Sequence, residues 1–173
     1  VAEESIVSTE LVTFRGKKFQ DVRTARNRAG KEGIRAVWTT WNDAGTMIRS
    51  QIRALSEEWV SDKSLPEMGF TLGNLSTLHD PEVRLMLALD EHDNLHGVTS
   101  WLPVYEDGAL AGWMLDFMRR DPAGFRPVVE FLIAETLVQA HEDGLGWISL
   151  SGAPLAHEAS GEENPLNIVT DVL

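Results

Sequence analysis

From Val83 to Leu89 the side chains change character at every second position, a period that a helix cannot gather on one face. Val83, Leu85, Leu87 and Leu89 alternate with Arg84, Met86, Ala88 and Asp90, the repeat of a β-strand. Asp93-Asn94 supplies a turn, and Gly97–Tyr105 reads as the returning antiparallel strand. Glu106-Asp107-Gly108 turns the chain again. Ala111–Met118 is almost wholly apolar, as expected of a central strand covered on both faces. Arg119–Gly124 reads as a loop. Phe125, Val128, Val129, Leu132, Thr136 and Ala140 then fall at helical spacing, with Gly144 and Gly146 closing the helix. Trp147–Ser151 reads as one more strand, parallel to Ala111–Met118 through that helix.

Upstream, Ile6, Val7, Leu11 and Val12 suit a short edge strand in a mixed lead-in, Val1–Thr13. A helix follows, with Phe19, Val22, Ala25 and Ala29 on a narrow apolar face and Gly33 placed for a left-handed C-terminal turn. Ile34, Ala36 and Trp38 form a short strand. Asn42 and Asp43 are N-cap candidates for a helix whose stripe is Ile48, Ile52, Leu55 and Trp59. That helix is expected to end before Ser61–Ser64, with Pro66 beyond it, and Gly69–Leu72 suits a short strand. The whole is α+β: a mixed, mostly antiparallel sheet flanked by helices and preceded by a basic helix. A meander followed by strand–helix–strand resembles the acyltransferases of the GNAT fold. We divide the chain into a lead-in with the basic helix, residues 1–33, and a GNAT-like module, residues 34–173, incomplete at its C-terminus.

Charge is distributed unevenly. Arg15–Arg35 holds 8 basic and 2 acidic residues in 21 positions, within a chain of net charge −12. Such asymmetry speaks of partners rather than fold. Lys17, Lys18, Arg23, Arg26, Arg28 and Lys31 are the candidate contacts to a polyanion, either RNA phosphates or anionic lipid headgroups. The plainer reading is a solvated helix balanced by the acidic remainder. Phe19 alone interrupts the cations, so base stacking is not indicated. The 173 residues make one domain with ample apolar content for a core. No apolar run approaches the roughly 20 residues of a bilayer span. With no cysteine, disulfides, thiol catalysis and thiolate metal sites are excluded. The chain begins at Val1 with no signal peptide and reads as a piece of something longer.

Asp116 is the most conspicuous chemical group, because every neighbour in Ala111–Met118 is apolar. An ionised carboxylate there must find a partner or shift its pKa upward. With Arg119 three residues on, one reading is a site at the carboxyl end of a central strand, with Asp116 as base or amine anchor and Arg119 as anion clamp. The other is a buried ion pair. Arg119-Arg120-Asp121-Pro122-Ala123-Gly124 leads into a helix, a natural anion site. Acetyl-CoA-dependent GNAT enzymes carry a pattern near [QR]-x-x-G-x-[GA] there. Pro122 or Ala123 takes the place of its first glycine, and proline has no N–H to offer a pyrophosphate. Ser149 and Ser151 share a strand face with Trp147 and are pocket candidates. No serine sits in a nucleophile elbow. The five histidines are scattered, so we assign no metal and no cofactor.

Three blocks carry a more specific resemblance. Phe14-x-Gly16-Lys17-Lys18-Phe19 through Arg23, Asn27, Arg28 and Lys31-Glu32-Gly33 is similar to the opening GKKxxxLRxxxNRxxREG of a module in aminoacyl-phosphatidylglycerol synthases. Asp116-Phe117-Met118-Arg119-Arg120, with Gly124 and Glu130-Phe131-Leu132, resembles that family's DLMRR…G…MDFL. Ser149-Leu150-Ser151-Gly152-Ala153-Pro154-Leu155 resembles its LSLGMAPL, with one residue fewer.

The resemblance implies the second of two tandem GNAT-like modules in the cytoplasmic catalytic region of a bacterial membrane protein. That region moves an aminoacyl group, often lysyl or alanyl, from aminoacyl-tRNA to a lipid hydroxyl, usually of phosphatidylglycerol, and serves resistance to antimicrobial peptides. It also implies catalytic roles for Asp116 and Arg119, substrate contacts from Arg120, Glu130, Ser149 and Ser151, and tRNA contact by the basic helix. The expected partners are aminoacyl-tRNA, anionic phospholipid, and the first module and transmembrane region of the same polypeptide. The family's basic, aromatic KFxPxWxPRY segment is not in this sequence. Two alternatives stand beside this reading: an acetyl-CoA-dependent N-acetyltransferase, and a non-catalytic module docking on RNA or anionic membrane.

Overall fold

The computed structural model describes residues 6–63 and 75–150, the side chains of 58–63 excepted. Trp59's side chain, Pro66, Gly69–Leu72 and Ser151 therefore lie outside the described residues. Among the described residues six strands form one sheet: β1 (Ile6–Ser8), β2 (Arg35–Thr39), β3 (Arg84–Leu89), β4 (Leu95–Glu106), β5 (Ala109–Arg120) and β6 (Trp147–Ser149). Their order is β1-β6-β5-β4-β3-β2. Every pair is antiparallel except β5 with β6, which α4 (Val128–Glu142) connects. This is the mixed α+β arrangement expected, with β5 and β4 at its centre.

Each face of the sheet has its own core. On one side α1 (Gln20–Lys31) and α4 bury Val22, Ala25, Ala29, Val128 and Leu132 with Trp101, Trp113 and Leu115 of the sheet. On the other, α3 (Thr46–Lys63) buries Ile48, Ile52 and Leu55 with Leu85, Leu87, Val98 and Phe117. The alternation in β3 sorts its residues accordingly: leucines toward α3, Met86 and Ala88 toward α4. Gly97 lets α4 lie close on β4, since a Cβ there would stand 2.8 Å from a Val128 methyl. The tight turn between β4 and β5 places Asp107 (φ 52°) and Gly108 (φ 82°) in the left-handed region, as a two-residue hairpin of type I′ requires.

Several expected boundaries move. Leu11 and Val12 belong to a 3-10 turn, Thr9–Thr13, after β1. Asn42 and Asp43 do not cap α3. They sit inside a one-turn helix, α2 (Trp41–Ala44), whose cap is Thr40, with Oγ1 accepting from the Asp43 N–H. Gly45, at φ 92°, then breaks α2 from α3. α3 continues through Ser61–Lys63. β5 runs through Arg119 and Arg120, which were expected in a loop, and Phe125 precedes α4.

The β3–β4 turn is tied together by Asp90. Its Oδ1 accepts the N–H groups of His92 and Asn94, and its Oδ2 accepts from Asn94 Nδ2 and from His96 Nε2 at 3.0 Å. The Phe125 N–H donates to His96 Nδ1, so the ring proton lies on Nε2, facing Asp90. These hydrogen bonds, that from His96 first, hold the Asp90 carboxyl well below the usual carboxylate range. A group depressed in the folded state contributes stability above its unfolded pKa, near 4, and loses it as pH falls. Asp90→Ala is expected to lower Tm by roughly 3–6 °C at pH 7, on the order of 1–2 kcal/mol. In thermal melts at decreasing pH the gap to the parent should close.

Candidate active site

Successive residues of a strand face opposite ways, so Asp116 and Arg119, three apart, belong on opposite faces of a regular β5. They share one face instead. Across the ladder Ser100 pairs with Phe117 and Trp101 with Leu115, which leaves Asp116 unpaired. That extra residue is a β-bulge. Before it, Trp113 and Leu115 face α4; after it, Phe117 faces α3 and Met118 faces α4. Arg119 consequently returns to the α3 side, where its guanidinium lies 4.3 Å from the Phe117 ring centroid.

Asp116 is half-buried, and Thr77 Oγ1 donates to its Oδ2 at 3.4 Å. Burial raises its pKa, and the Thr77 contact only partly opposes this. Arg119 is 6% exposed, with Nη1 donating to the Met118 carbonyl at 2.8 Å. Burial lowers its pKa to about 10, so it remains a cation at neutral pH. No ion pair joins the two, so the buried-pair reading of this segment does not hold.

β6 pairs with β5 over Gly112–Met114 only, among the described residues, and Asp116 stands two positions beyond. Ile148 and Leu150 point toward α4. Ser149 therefore faces the Asp116 side, beside Met114. Trp147 shares that face and lies so close on Gly112 that a Cβ there would be 2.6 Å from its ring. Arg120 and Glu130 lie on the other side. Past the bulge Arg120 falls with Met118 on the α4 face, and Glu130 belongs to the first turn of α4. Burial raises the Glu130 carboxyl, with Asp21 adding to the shift and Arg120 opposing it. The sheet thus puts Asp116, Arg119 and Ser149 on one face, with Arg120 and Glu130 on the other.

Three successive amides of the turn before α4 donate within the protein. The Ala123 N–H donates to Asp121 Oδ1, the Gly124 N–H to the Asp121 carbonyl, and the Phe125 N–H to His96. Pro122 and Pro127 have no N–H to offer.

The basic helix is on the α4 side, across the sheet from Asp116. Three of its arginines serve the fold. Arg23 donates to the carbonyls of Phe14 and Gly16, the latter at 2.8 Å, securing a turn in which Phe14 has φ 53°. Arg26 pairs with Glu135 of α4 at 2.8 Å. Arg28 pairs with Glu32 and lies over the Phe125 ring. Arg15, Lys17, Lys18 and Lys31 are exposed. Thr77 is the neighbour of Asp116 that the sequence does not announce: it comes from a 3-10 turn, Leu75–His79, 39 residues away.

Over its whole length, residues 1–173, the chain matches the family described as phosphatidylglycerol lysyltransferase, C-terminal. The chain belongs to that family. Relatives of this lysyltransferase-family chain include a Corynebacterium glutamicum protein described only as uncharacterized, 59% identical over 90% of this chain and 20% of its own length. A lysylphosphatidylglycerol biosynthesis bifunctional protein LysX of Nocardia farcinica is 26% identical over 88% of this chain and 13% of its own. Among solved structures, L-PGS from Bacillus licheniformis superposes with a TM-score of 0.71 at 21% identity, over 86% of this chain and 46% of that one. The chain thus spans a fifth or less of the curated relatives it matches and just under half of the solved one. No described helix is long and apolar enough to cross a membrane.

Proposed function

We propose that this chain is the second GNAT-like module in the catalytic region of a bacterial membrane enzyme. That enzyme transfers an aminoacyl group, lysyl by the family's description, from aminoacyl-tRNA to a hydroxyl of phosphatidylglycerol at the cytoplasmic face. The observation that carries this reading is the bulge. It sets a half-buried carboxylate, in no ion pair among the described residues, and a buried guanidinium on one face of a central strand, beyond the described β5–β6 pairs.

The chemistry is a transesterification. The lipid hydroxyl oxygen bonds to the ester carbonyl carbon, and the bond to the ribose oxygen breaks. Asp116 takes the hydroxyl proton and passes it to the departing ribose oxygen. A carboxyl raised by burial is better matched to that exchange near neutral pH than an ordinary one. Arg119, still charged, stabilises the developing oxyanion or holds a phosphate. The ester is already activated, so positioning and charge suffice without a covalent intermediate. The engaged amides of Ala123, Gly124 and Phe125, with Pro122 and Pro127 offering none, favour this donor over acetyl-CoA. Exposed cations of the basic helix would grip the tRNA body on the opposite side of the sheet from the reacting ester.

The test uses the full-length enzyme in phosphatidylglycerol vesicles with radiolabelled lysyl-tRNA. Label should enter lipid, and prior ribonuclease treatment should prevent it. Label transfer from acetyl-CoA to an amine, or binding to vesicles with no transfer to lipid, would replace the proposal by one of its two alternatives.

A further inference from the structure

We infer that Ser100 is a positioning residue, whose hydroxyl holds the bulge that puts Arg119 on the face of Asp116. The inference rests on the reading above that these two groups act together.

A bulge interrupts the ladder, and a buried N–H left without an acceptor is costly. At this bulge the Phe117 N–H donates to Ser100 Oγ at 3.1 Å. Ser100 is 0% exposed, so bulk solvent does not compete for this bond. It lies directly opposite Phe117, at the step where the register shifts. The side-chain oxygen thus supplies an acceptor at the displaced step of the ladder.

The alternative is a regular β5. Its parity would keep Phe117 and Arg119 with Leu115, toward α4, and would turn Met118 and Arg120 to the Asp116 side. A methyl group at position 100 provides no acceptor and removes what favours the bulged register. The residue touches no reacting atom in the proposed site. Its effect runs through the direction of Arg119.

The experiment is a double-mutant cycle on the full-length enzyme, read by lysyl transfer to phosphatidylglycerol. Ser100→Ala should lower kcat by about 100-fold, the order expected when a group is misplaced by an ångström or so, with KM for lysyl-tRNA little changed. Placed on Arg119→Ala, the same substitution should cost no more than about twofold, because Arg119 is no longer there to misplace. Ser100→Thr, which keeps the oxygen, should restore most of the rate. Amide exchange at Phe117 should quicken in Ser100→Ala and not in Ser100→Thr. If Ser100→Ala does not fold, Ser100→Cys, of similar volume and weaker as an acceptor, enters the cycle in its place. Losses that simply add in the double mutant would overturn the inference, as would unchanged kcat and Phe117 exchange in Ser100→Ala. A fully active Arg119→Ala would instead sink the reading of the site, and that result is distinguishable from either.

Discussion

Asp116→Asn is expected to cut aminoacyl transfer by roughly 10²–10⁴-fold while making the folded chain more stable at neutral pH. The loss follows from removing a positioned proton acceptor. The gain follows from the environment: burial raises the Asp116 carboxyl, so the folded state resists ionising it. A carboxyl raised in the folded state binds its proton there more tightly than in the unfolded chain. Stability therefore falls as pH rises from the unfolded pKa, near 4, through the folded one. Asn carries no charge, and its side-chain oxygen can still accept from Thr77. The variant's melting temperature should match the parent's in acid and exceed it at pH 7. Transfer assays and melts at several pH values check both halves. Near-parental transfer would remove Asp116 from the chemistry, and a variant less stable at neutral pH would show that its role is structural. Groups that cost stability and are nevertheless present mark function.

The second large effect separates the cations of the basic segment by what they touch. Reversing Arg15, Lys17 and Lys31 to Glu should weaken lysyl-tRNA binding by about 10–100-fold and flatten its salt dependence by roughly 2–3 units of slope, with Tm unchanged. Arg23→Ala should do the opposite. It leaves the Phe14 and Gly16 carbonyls without their donor and should cost about 2 kcal/mol of stability, while tRNA binding at a temperature well below the melt changes little. Filter binding across a salt series, with melts of the same variants, reads both. Triple reversal that spares tRNA but releases the protein from anionic vesicles would assign this surface to the membrane.

The sequence made the centre of the fold legible because alternation and helical spacing are local. β3, β4, β5, α4 and the parallel β6 were all visible in that way, and Asp116 stood out because an isolated charge in an apolar strand is itself a local signal. The bulge was not visible. One extra residue in a ladder changes no composition, and the hydroxyl that accepts the stray N–H is 17 positions away. That single residue decides which side of the sheet Arg119 and Arg120 face, so their separation was beyond reach of spacing alone. The engagement of Arg26 was hidden for the same reason, since its partner Glu135 is 109 residues distant. Asn42 and Asp43 do not cap α3 because a one-turn helix, capped by Thr40 and too short to carry a periodicity, stands before it.

The pairing of β1 with β6 sets an order of events during synthesis. Ile6 lies across from Ser149, and Thr9 bonds to the carbonyls of Leu145 and Gly146. None of these partners exists until about 140 further residues have left the ribosome, on the order of ten seconds at typical elongation rates. Through that interval β1 lacks the partner it has in this sheet. The Arg23 contacts to Phe14 and Gly16 span only 9 and 7 residues. They are available early, and can keep the Phe14–Gly16 turn folded back on α1 until β6 emerges to receive β1.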